Sequence, residues 1–407
     1  MGFIDGGVCA PQGFQASGVI CGIRPNPQKN DLALVCSDYP CTAAGVFTKN
    51  QVKAAPVILD METVKHGKAR AIIANSGIAN CCAEDCEANA KRMQTLAAEK
   101  LNLLEEEVLV CSTGIIGQRL NIEAIEKGLP SLIDALTHSS EGSESAAMAI
   151  MTTDTVKKEQ AYETTIHDVK VKIGAITKGS GMIHPNMGTM LCFATTDCAI
   201  SAEMLRKALK RACDVSFNRI TVDGDMSTND SFLIMANGQA GNPEITEENE
   251  DFESFVAALT SVSKDLARRM AADGEGAKHL ITCTVSGAET EKDAETIAKS
   301  VISSSLTKAA IFGNDANWGR VIAAMGYSGV VFDPELVDIS FRSEAGEILV
   351  CEKGHGLAFD EDLATKILSK DEVEILCTIC GEGNGEATCW GCDLTYDYVQ
   401  INGDYRS

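Results

Sequence analysis

The segment KGSGMIHPNMGTMLCFATTD, residues 178–197, joins a glycine-rich loop to an apolar strand. Lys178 opens the loop, Gly188 ends it, and the apolar run starts at Thr189. Glycine has no Cβ, so the Gly188 carbonyl is open to attack by the neighbouring Thr189 hydroxyl. Scission there would make Thr189 an N-terminus whose α-amine can act as its own general base. The spacing alone fits either a self-cleaving threonine or an ordinary loop that enters a core strand.

The composition indicates a globular protein and argues against two classes of partner. The chain has 407 residues, and 45% of them are hydrophobic, which is enough for a substantial core. A formal charge of −23 would repel nucleic acid and anionic membrane surfaces. The N-terminal residues lack the features of a signal peptide, and no apolar run reaches the ~18 residues of a membrane span. We therefore expect a cytoplasmic protein without nucleic-acid or membrane partners.

The 17 cysteines are scattered through apolar segments, as expected of reduced, buried side chains. Cys377, Cys380, Cys389 and Cys392 form a C-x2-C-x8-C-x2-C array, a spacing typical of zinc sites. Cys377 and Cys380 lie in VEILCTIC, a predicted strand on which they would point to opposite faces. We therefore predict no metal site and keep a zinc-stabilised binding protein as the alternative.

Strand-like segments alternate with long amphipathic helices along the chain. This alternation predicts an α/β or α+β fold in which helices cover the sheets. Helices are predicted at 85–101, 121–137, 143–151, 201–217 and 290–309. Strands are predicted at 219–230 and in the C-terminal quarter, and two short strands around a turn are predicted within 31–48. No linker divides the chain, so the one boundary is chemical, between 1–188 and 189–407.

Several segments resemble the ornithine acetyltransferase family, the glutamate N-acetyltransferases of arginine biosynthesis. The similar segments follow the family's order and spacing: APQGFQASGV, AAGVFTKNQVKAAPV, CSTGIIG, VDGDMSTND, FGNDANWGR and WGCDLTYDYV. In that family the Thr of Asn-Met-Ala-Thr-Met-Leu becomes the nucleophile, and here Gly188 stands in place of the Ala. The resemblance implies an α chain of residues 1–188, a β chain of residues 189–407 and a layered α/β/β/α-like sandwich. It also implies an assembly of two α and two β chains.

The resemblance also implies roles for individual residues. In CSTGIIG, Thr113 and Gly114 correspond to the family's oxyanion hole. The residues implied to contact substrate are Thr152 or its neighbour Thr153, Lys178, Thr189, Glu275, Asn402 and Ser407. Physical chemistry agrees for two of them, because a lysine suits a carboxylate and a glutamate suits an ammonium group. One position departs from the family pattern, since Ile78 stands where Asn is usual.

The implied reaction is a ping-pong transfer without a bound cofactor. Thr189 would accept the acetyl group of N2-acetyl-L-ornithine and pass it to L-glutamate. The residues leave open whether acetyl-CoA also serves as a donor. A self-processing aminopeptidase-like hydrolase is the enzyme alternative, although such relatives use a serine nucleophile.

Overall fold

The structure of this protein, a computed structural model, describes residues 1–24, 28–184 and 190–404. Gly188, Thr189 and Ser407, which the sequence assigns to the site, lie outside this described part.

The strands are β1 (Gly2–Ile4), β2 (Phe14–Val19), β3 (Leu32–Phe47), β4 (Lys68–Ile78), β5 (Val108–Ile115), β6 (Lys158–Ile166), β7 (Val169–Lys178), β8 (Leu191–Thr196), β9 (Ser231–Ala236), β10 (Leu280–Ala288), β11 (Val337–Ser343), β12 (Gly346–Glu352), β13 (His355–Gly356), β14 (Glu372–Ile379) and β15 (Gly385–Cys392). The helices are α1 (Ala55–Thr63), α2 (Cys86–Leu101), α3 (Ile122–Asp134), α4 (Ser140–Ile150), α5 (Ala202–Asp214), α6 (Glu250–Ala272), α7 (Glu291–Ser303), α8 (Ser305–Phe312), α9 (Trp318–Gly326), α10 (Glu361–Leu368) and α11 (Tyr396–Asp404).

The larger sheet contains strands from both sides of the predicted cleavage bond. Its order is β1–β6–β7–β8–β9–β3–β4–β5, and β2 pairs with the first part of β3. Strands β7 and β8 are antiparallel, with Lys178 opposite Leu191. A break between residues 188 and 189 would therefore leave the ladder between β7 and β8 in place.

Helices cover both faces of the larger sheet because its strands alternate apolar side chains between the faces. On β7, Ile173 and Ala175 join a core that includes α5 and α6, whereas Ile176 joins a core that includes α4. Helix α5 begins as predicted, since Ser201 Oγ accepts a hydrogen bond from the Met204 N–H at 3.4 Å. The predicted mixed α/β fold with helix-covered sheets is confirmed.

The smaller sheet accounts for the strand-rich C-terminal quarter. Its order is β13–β12–β11–β14–β10–β15, and β10 runs parallel to β14 but antiparallel to β15. Apolar residues of α7, α9 and α10 complete its core, among them Ile297, Val321 and Ile367. Within the described ranges, no helix has both the length and the apolar character needed to span a bilayer.

Two predicted element boundaries are wrong. In place of two strands, the segment 31–48 contains one long strand, β3 (Leu32–Phe47), whose pairing with β4 shifts register between Cys36 and Cys41, where a turn was predicted. Residues 290–309 form two helices, α7 and α8, instead of one. Ser304 ends the first helix, and its hydroxyl caps the first turn of the second.

The strand predicted at 219–230 is also wrong, because only an isolated bridge between Ile220 and Trp390 of β15 forms there and the next residues bond to a neighbouring loop. The Val222 N–H donates to the Ile183 carbonyl at 2.7 Å. The Asp223 carboxylate accepts hydrogen bonds from the Met182 and Ile183 N–H groups at 2.6 and 2.9 Å. This loop therefore anchors the segment that precedes the predicted cleavage bond.

Candidate active site

A cavity of about 150 Å³ brings together most of the residues that the sequence assigns to the site. We call it the central cavity. In the described part of the chain its lining is Thr113, Gly114, Thr152, Thr153, Lys178, Gly181, Met182, Ile183, Met190, Leu191, Ser227, Asn229, Asp230, Glu275 and Asn402. Seven of these are predicted site residues: Thr113, Gly114, Thr152, Thr153, Lys178, Glu275 and Asn402. They are far apart in sequence, so only the fold brings them together. Met190, the residue after Thr189, lines the same cavity.

Thr113 and Gly114 lie near the end of β5, where it still pairs with β4, and from there they line the central cavity. Gly114 pairs with Gly77 of the parallel strand β4. Its φ of +131° lies outside the range of most side chains, and a Cβ there would overlap the Gly77 carbonyl carbon. Glycine is therefore required at position 114 for the β5 backbone to approach both β4 and the cavity.

Lys178 ends β7 and places an ammonium group in the cavity wall. Its Nζ donates a hydrogen bond to Thr152 Oγ1 at 3.2 Å. Burial lowers the pKa of Lys178, and the carboxylates of Asp154, Asp230 and Glu275 oppose that shift. One cation surrounded by acids gives the cavity charges of both signs, an arrangement that suits a zwitterionic ligand.

The hydrogen bonds distinguish Thr152 from Thr153. The Thr152 hydroxyl accepts from the Lys178 ammonium, whereas Thr153 Oγ1 lies 2.7 Å from Ser180 Oγ. Thr153 therefore links its turn to the loop after β7. Lys178 is the one cation among the described lining residues. Because the Thr152 hydroxyl is hydrogen-bonded to it, Thr152 is better placed than Thr153 to contact a ligand carboxylate.

Glu275 approaches the cavity from the loop after α6. Its N–H donates to the Ser180 carbonyl at 2.8 Å, and its Oε2 accepts a hydrogen bond from Asn402 Nδ2 at 2.8 Å. Gly181 gives the carboxylate its space, because a Cβ at that position would overlap the Glu275 side chain. Helix α11 thus brings Asn402 into hydrogen-bonding contact with Glu275, another residue that the sequence assigns to the site.

A buried ion network lies beneath these residues. Lys158 Nζ lies 2.7 Å from Asp154 Oδ1 and 2.5 Å from Asp273 Oδ2, and all three side chains are nearly inaccessible. Asp154 also accepts hydrogen bonds from the Gly179 and Thr152 N–H groups. Burial disfavours its charge, but the ammonium groups of Lys158 and Lys178 outweigh burial and lower the pKa of Asp154. That stabilisation is present above the ordinary carboxyl pKa and is lost as the pH falls through the lowered value.

Replacing Lys158 by Met is expected to destabilise the protein by about 3–5 kcal/mol, because two buried carboxylates lose their counter-charge. The midpoint of the urea unfolding transition measures this change. Lys65→Met is the matched control, since Lys65 pairs with Glu62 in solvent and its loss should cost at most about 1 kcal/mol. Equal midpoints for the two variants would contradict a structural role for the network.

Three acidic residues at or beside the site were not predicted from the sequence. Asp154 and Asp223 accept hydrogen bonds from different parts of the loop after β7: Asp154 from its first residue, Gly179, and Asp223 from Met182 and Ile183. Asp230 lines the central cavity with 2% of its surface exposed. Burial raises its pKa well above the usual range, and its Oδ2 has no hydrogen-bond partner among the described residues. The signal was present in TTDT and VDGDMSTND, but such acids also occur in solvated turns.

Ile78, the departure from the family pattern, is not part of the cavity lining in the described chain. It ends β4 opposite Ile115 and is 6% exposed. Its side chain belongs to the apolar core beneath α2 and α3. Isoleucine at position 78 therefore contributes to the packing of this core.

The four cysteines with zinc-like spacing lie at separate positions in and beside the smaller sheet. Cys377 lies on β14 and Cys389 on β15, with β10 between these strands. The Cys380 thiol faces Asp338 at 3.3 Å, and Cys392 Sγ lies 3.6 Å from Lys308 Nζ. Residues 1–24, 28–184 and 190–404 contain no group of three or more side chains placed to hold a metal ion. The geometry thus gives the zinc alternative no support.

Comparisons with known proteins identify close relatives. A family model described as "ArgJ family" matches residues 15–407. The arginine biosynthesis bifunctional protein ArgJ of Caldanaerobacter subterraneus subsp. tengcongensis is 50% identical over 408 residues, which cover 100% of both chains. The protein of the same name from Bacillus subtilis is 45% identical, over 99% of this chain and 97% of its own. A crystal structure of the arginine biosynthesis bifunctional protein argJ from Bacillus halodurans is 44% identical, with a TM-score of 0.50, and covers 52% of this chain and 98% of its own.

Proposed function

This chain belongs to the ArgJ family, and from that membership we propose a self-cleaving acetyltransferase that moves the acetyl group of N2-acetyl-L-ornithine to L-glutamate in arginine biosynthesis. The observation that carries the proposal is the convergence of seven predicted site residues on the central cavity. The resemblance implied each of them from sequence alone. Their convergence is expected of a substrate site and not of unrelated surface residues.

The proposed chemistry has two acyl transfers through one covalent intermediate. The Thr189 hydroxyl attacks the acetyl carbonyl, and its own α-amine takes the proton. Such an amine titrates near ~7.7–8.0, so part of it is neutral at physiological pH. Thr113 and Gly114 stabilise the tetrahedral oxyanion. Ornithine leaves with the proton. The neutral amine of glutamate then attacks the acetyl-threonine ester, the bond between the acetyl carbon and Thr189 Oγ breaks, and the proton of the attacking amine returns through the α-amine to Oγ.

The charges of the central cavity support an amino acid as the substrate. Lys178 would hold the α-carboxylate, with the Thr152 hydroxyl already in its hydrogen-bonding range. Glu275, held by Asn402, would accept the side-chain ammonium of ornithine. The residues proposed to contact substrate are therefore Thr152, Lys178, Glu275 and Asn402, with Thr153 and Ser407 added on the family resemblance.

Three observations support the proposed cleavage between Gly188 and Thr189 and the role of Thr189. The strands that flank the loop, β7 and β8, pair side by side, so both products would stay in one sheet. The Bacillus halodurans chain is 98% covered while it spans only 52% of this chain, so that polypeptide is about half as long. Cleavage at this bond would likewise divide the chain near its middle. Met190 lines the central cavity, which supports Thr189 as the nucleophile there.

Residues 1–188 and 189–407 would then be the α and β chains of the mature enzyme. On the family resemblance, we propose that two of each assemble and that the enzyme acts in the cytoplasm without a bound cofactor. Size-exclusion chromatography with light scattering would measure the assembly.

The proposed reaction is tested with N-acetylornithine as the sole acetyl donor. Purified protein should convert N-acetylornithine and glutamate to ornithine and N-acetylglutamate, with acetylated Thr189 trapped when glutamate is omitted. Absence of transfer, or release of free acetate alone, would contradict the proposal and favour a hydrolase.

Glu275→Gln is expected to raise the KM for N-acetylornithine about 10- to 100-fold, because a charge-assisted hydrogen bond contributes about 1.5–3 kcal/mol. If Glu275 binds the donor's ammonium group, the KM for glutamate should change much less, since glutamate carries no side-chain ammonium. Initial rates with each substrate varied separately measure both constants. Glu382→Gln, at an exposed loop position, is the charge-matched control. Equal changes in the two KM values would exclude this assignment.

A further inference from the structure

Asp230 is a buried acid of the central cavity with one carboxyl oxygen left unpaired within the described chain. Its side chain is 2% exposed, and its Oδ2 has no hydrogen-bond partner among the residues that the structure describes. The Lys178 ammonium, the one cation of the described lining, donates instead to Thr152 at 3.2 Å. Leaving a buried acceptor unpaired costs free energy, because its bonds to water are lost and not replaced. The unpaired oxygen therefore indicates a partner outside the described residues.

The pairing of β8 with β9 places Asp230 beside Met190. The two strands run parallel with Leu191 opposite Ser231, and the Ser231 N–H donates to the Met190 carbonyl at 2.9 Å. Asp230 and Met190 are therefore the residues that immediately precede this ladder. One peptide bond joins Met190 to Thr189, and consecutive Cα atoms are only about 3.8 Å apart. The Asp230 carboxyl group thus lies at the start of β8, one residue from the proposed new N-terminus.

The backbone around Asp230 is held by other strands, which gives the carboxyl group a fixed position. The Asp230 carbonyl accepts a hydrogen bond from the Thr48 N–H at 3.0 Å. The preceding residue, Asn229, donates from its Nδ2 to the Ala79 and Ser112 carbonyls at 2.6 and 2.8 Å. These bonds tie the segment to the ends of β3 and β4 and to β5, the strand that carries the proposed oxyanion donors.

Burial disfavours the charged form of Asp230. It raises the pKa of this carboxyl group well above the usual range, and the Ser227 hydroxyl, the Lys178 ammonium and the Met190 N–H are among the groups that oppose the shift. A further positive charge nearby would oppose it more strongly. Self-cleavage would form such a charge, since it converts the amide nitrogen of Thr189 into an amine that can be protonated.

We propose that Asp230 is a positioning residue for the α-amine of Thr189, whose hydrogen bond its carboxylate accepts once the chain is cut. The inference rests on the proposed function, in which Thr189 is the nucleophile. The hydrogen bond holds the amine with its lone pair towards the threonine hydroxyl. When the amine takes the hydroxyl proton it becomes an ammonium ion, and the carboxylate stabilises this ion without itself being protonated. The buried aspartate of a Ser-His-Asp triad acts on its histidine in the same way.

The test compares Asp230→Asn with the unmodified enzyme, with rates normalised to cut chain. The variant should still be cut, because the amine that Asp230 positions does not exist before cleavage. With N-acetylornithine as donor its kcat should fall about 100-fold or more, while the KM stays within about threefold. Asp60→Asn is the matched control, since Asp60 is also buried and its bond from the Val110 N–H, at 2.9 Å, can be kept by an amide oxygen. This control should keep the kcat of the unmodified enzyme.

The pH profile separates positioning from packing. Activity requires the neutral amine, and a carboxylate beside an amine raises the pKa of that amine. Without the carboxylate this pKa falls, so the acidic limb of kcat/KM should move by about one pH unit to lower pH in Asp230→Asn. The other charged groups of the described cavity lining, Lys178 and Glu275, are the same in both proteins. A loss of packing alone would lower the rate without moving this limb.

A second measurement needs no substitution at position 230. NMR of aspartate labelled at its carboxyl carbon reports the pKa of these groups in the cut enzyme and in the uncut Thr189→Ala chain. One aspartyl signal with a raised pKa in the uncut chain should move to a lower pKa in the cut enzyme. Asp60, whose pKa is also raised by burial, is the internal reference and should not change. If Asp230→Asn does not fold, this comparison decides.

Four results would overturn the inference. They are a folded Asp230→Asn chain that stays uncut, a kcat and pH profile equal to those of the unmodified enzyme, aspartyl pKa values that are the same before and after cleavage, and a raised KM with an unchanged kcat. The last result would assign Asp230 to Lys178 and to substrate binding. An unmodified protein that is uncut, or that transfers no acetyl group, would instead overturn the proposed function.

Discussion

Replacing Thr189 by Ala is expected to leave a single uncut chain and to reduce acetyl transfer by about 10⁴-fold or more. The variant lacks the hydroxyl that would attack the Gly188 carbonyl, so neither the new N-terminus nor its amine base would form. The proposed acetyl acceptor would be lost with the same atom. Denaturing electrophoresis and initial rates with N-acetylornithine measure the two effects.

Thr189→Ser is the matched control because it keeps both a hydroxyl and, after cleavage, an α-amine. We expect this variant to be cut and to retain measurable transfer. A cut chain in Thr189→Ala, or activity within tenfold of the unmodified enzyme, would exclude Thr189 as the nucleophile.

Thr113→Val is expected to lower kcat by about 10²–10³-fold with little change in KM, because an oxyanion donor acts mainly on the transition state. Valine has nearly the shape of threonine and suits a strand, so the end of β5 should keep its structure. Because the same donors would assist self-cleavage, rates are normalised to the amount of cut chain.

Thr113→Ser supplies the control for this position, since it restores a hydroxyl without the methyl group. Recovery of most of the kcat in the serine variant would support hydrogen bonding as the role of Thr113. A valine variant whose kcat stays within about threefold of the unmodified enzyme would contradict that role.

Secondary structure could be predicted where it depends on residues that are close together in the sequence. Helix α5 has an apolar stripe and a serine cap, and both are local features. Strand β3 was misjudged because its two halves pair with different strands, which allows one strand to continue through a segment that looks like a turn. Residues 219–230 form no strand because their backbone partners are distant in sequence: the Thr221 N–H donates to the Trp390 carbonyl and the Val222 N–H to the Ile183 carbonyl.

Some residues of the candidate site could be predicted from the sequence and others could not. The family resemblance supplied Thr113, Lys178 and Glu275, and the cavity brings these residues together. It did not supply Asp154 or Asp230, because an acid within a polar segment indicates a solvated turn unless its burial is known. Both are almost fully buried, and that burial arises only when distant strands and loops pack around them.

Both halves of the sequence contribute neighbouring strands to the larger sheet. Residues before the predicted cleavage bond form β7, those after it form β8, and β9 then pairs with β3 from the first half. Cleavage would therefore free an N-terminus without exposing the core, since all residues of β8 are buried. Self-cleavage and a stable fold are compatible for this reason.

The intact mass of the purified protein under denaturing conditions shows whether the bond between Gly188 and Thr189 is cut. We expect two polypeptides whose masses together equal the 43.2 kDa chain plus one water. The first would end at Gly188, and the second would begin with a free amine on Thr189. A single 43.2 kDa polypeptide in protein that transfers acetyl groups, or a cut at a different bond, would contradict it.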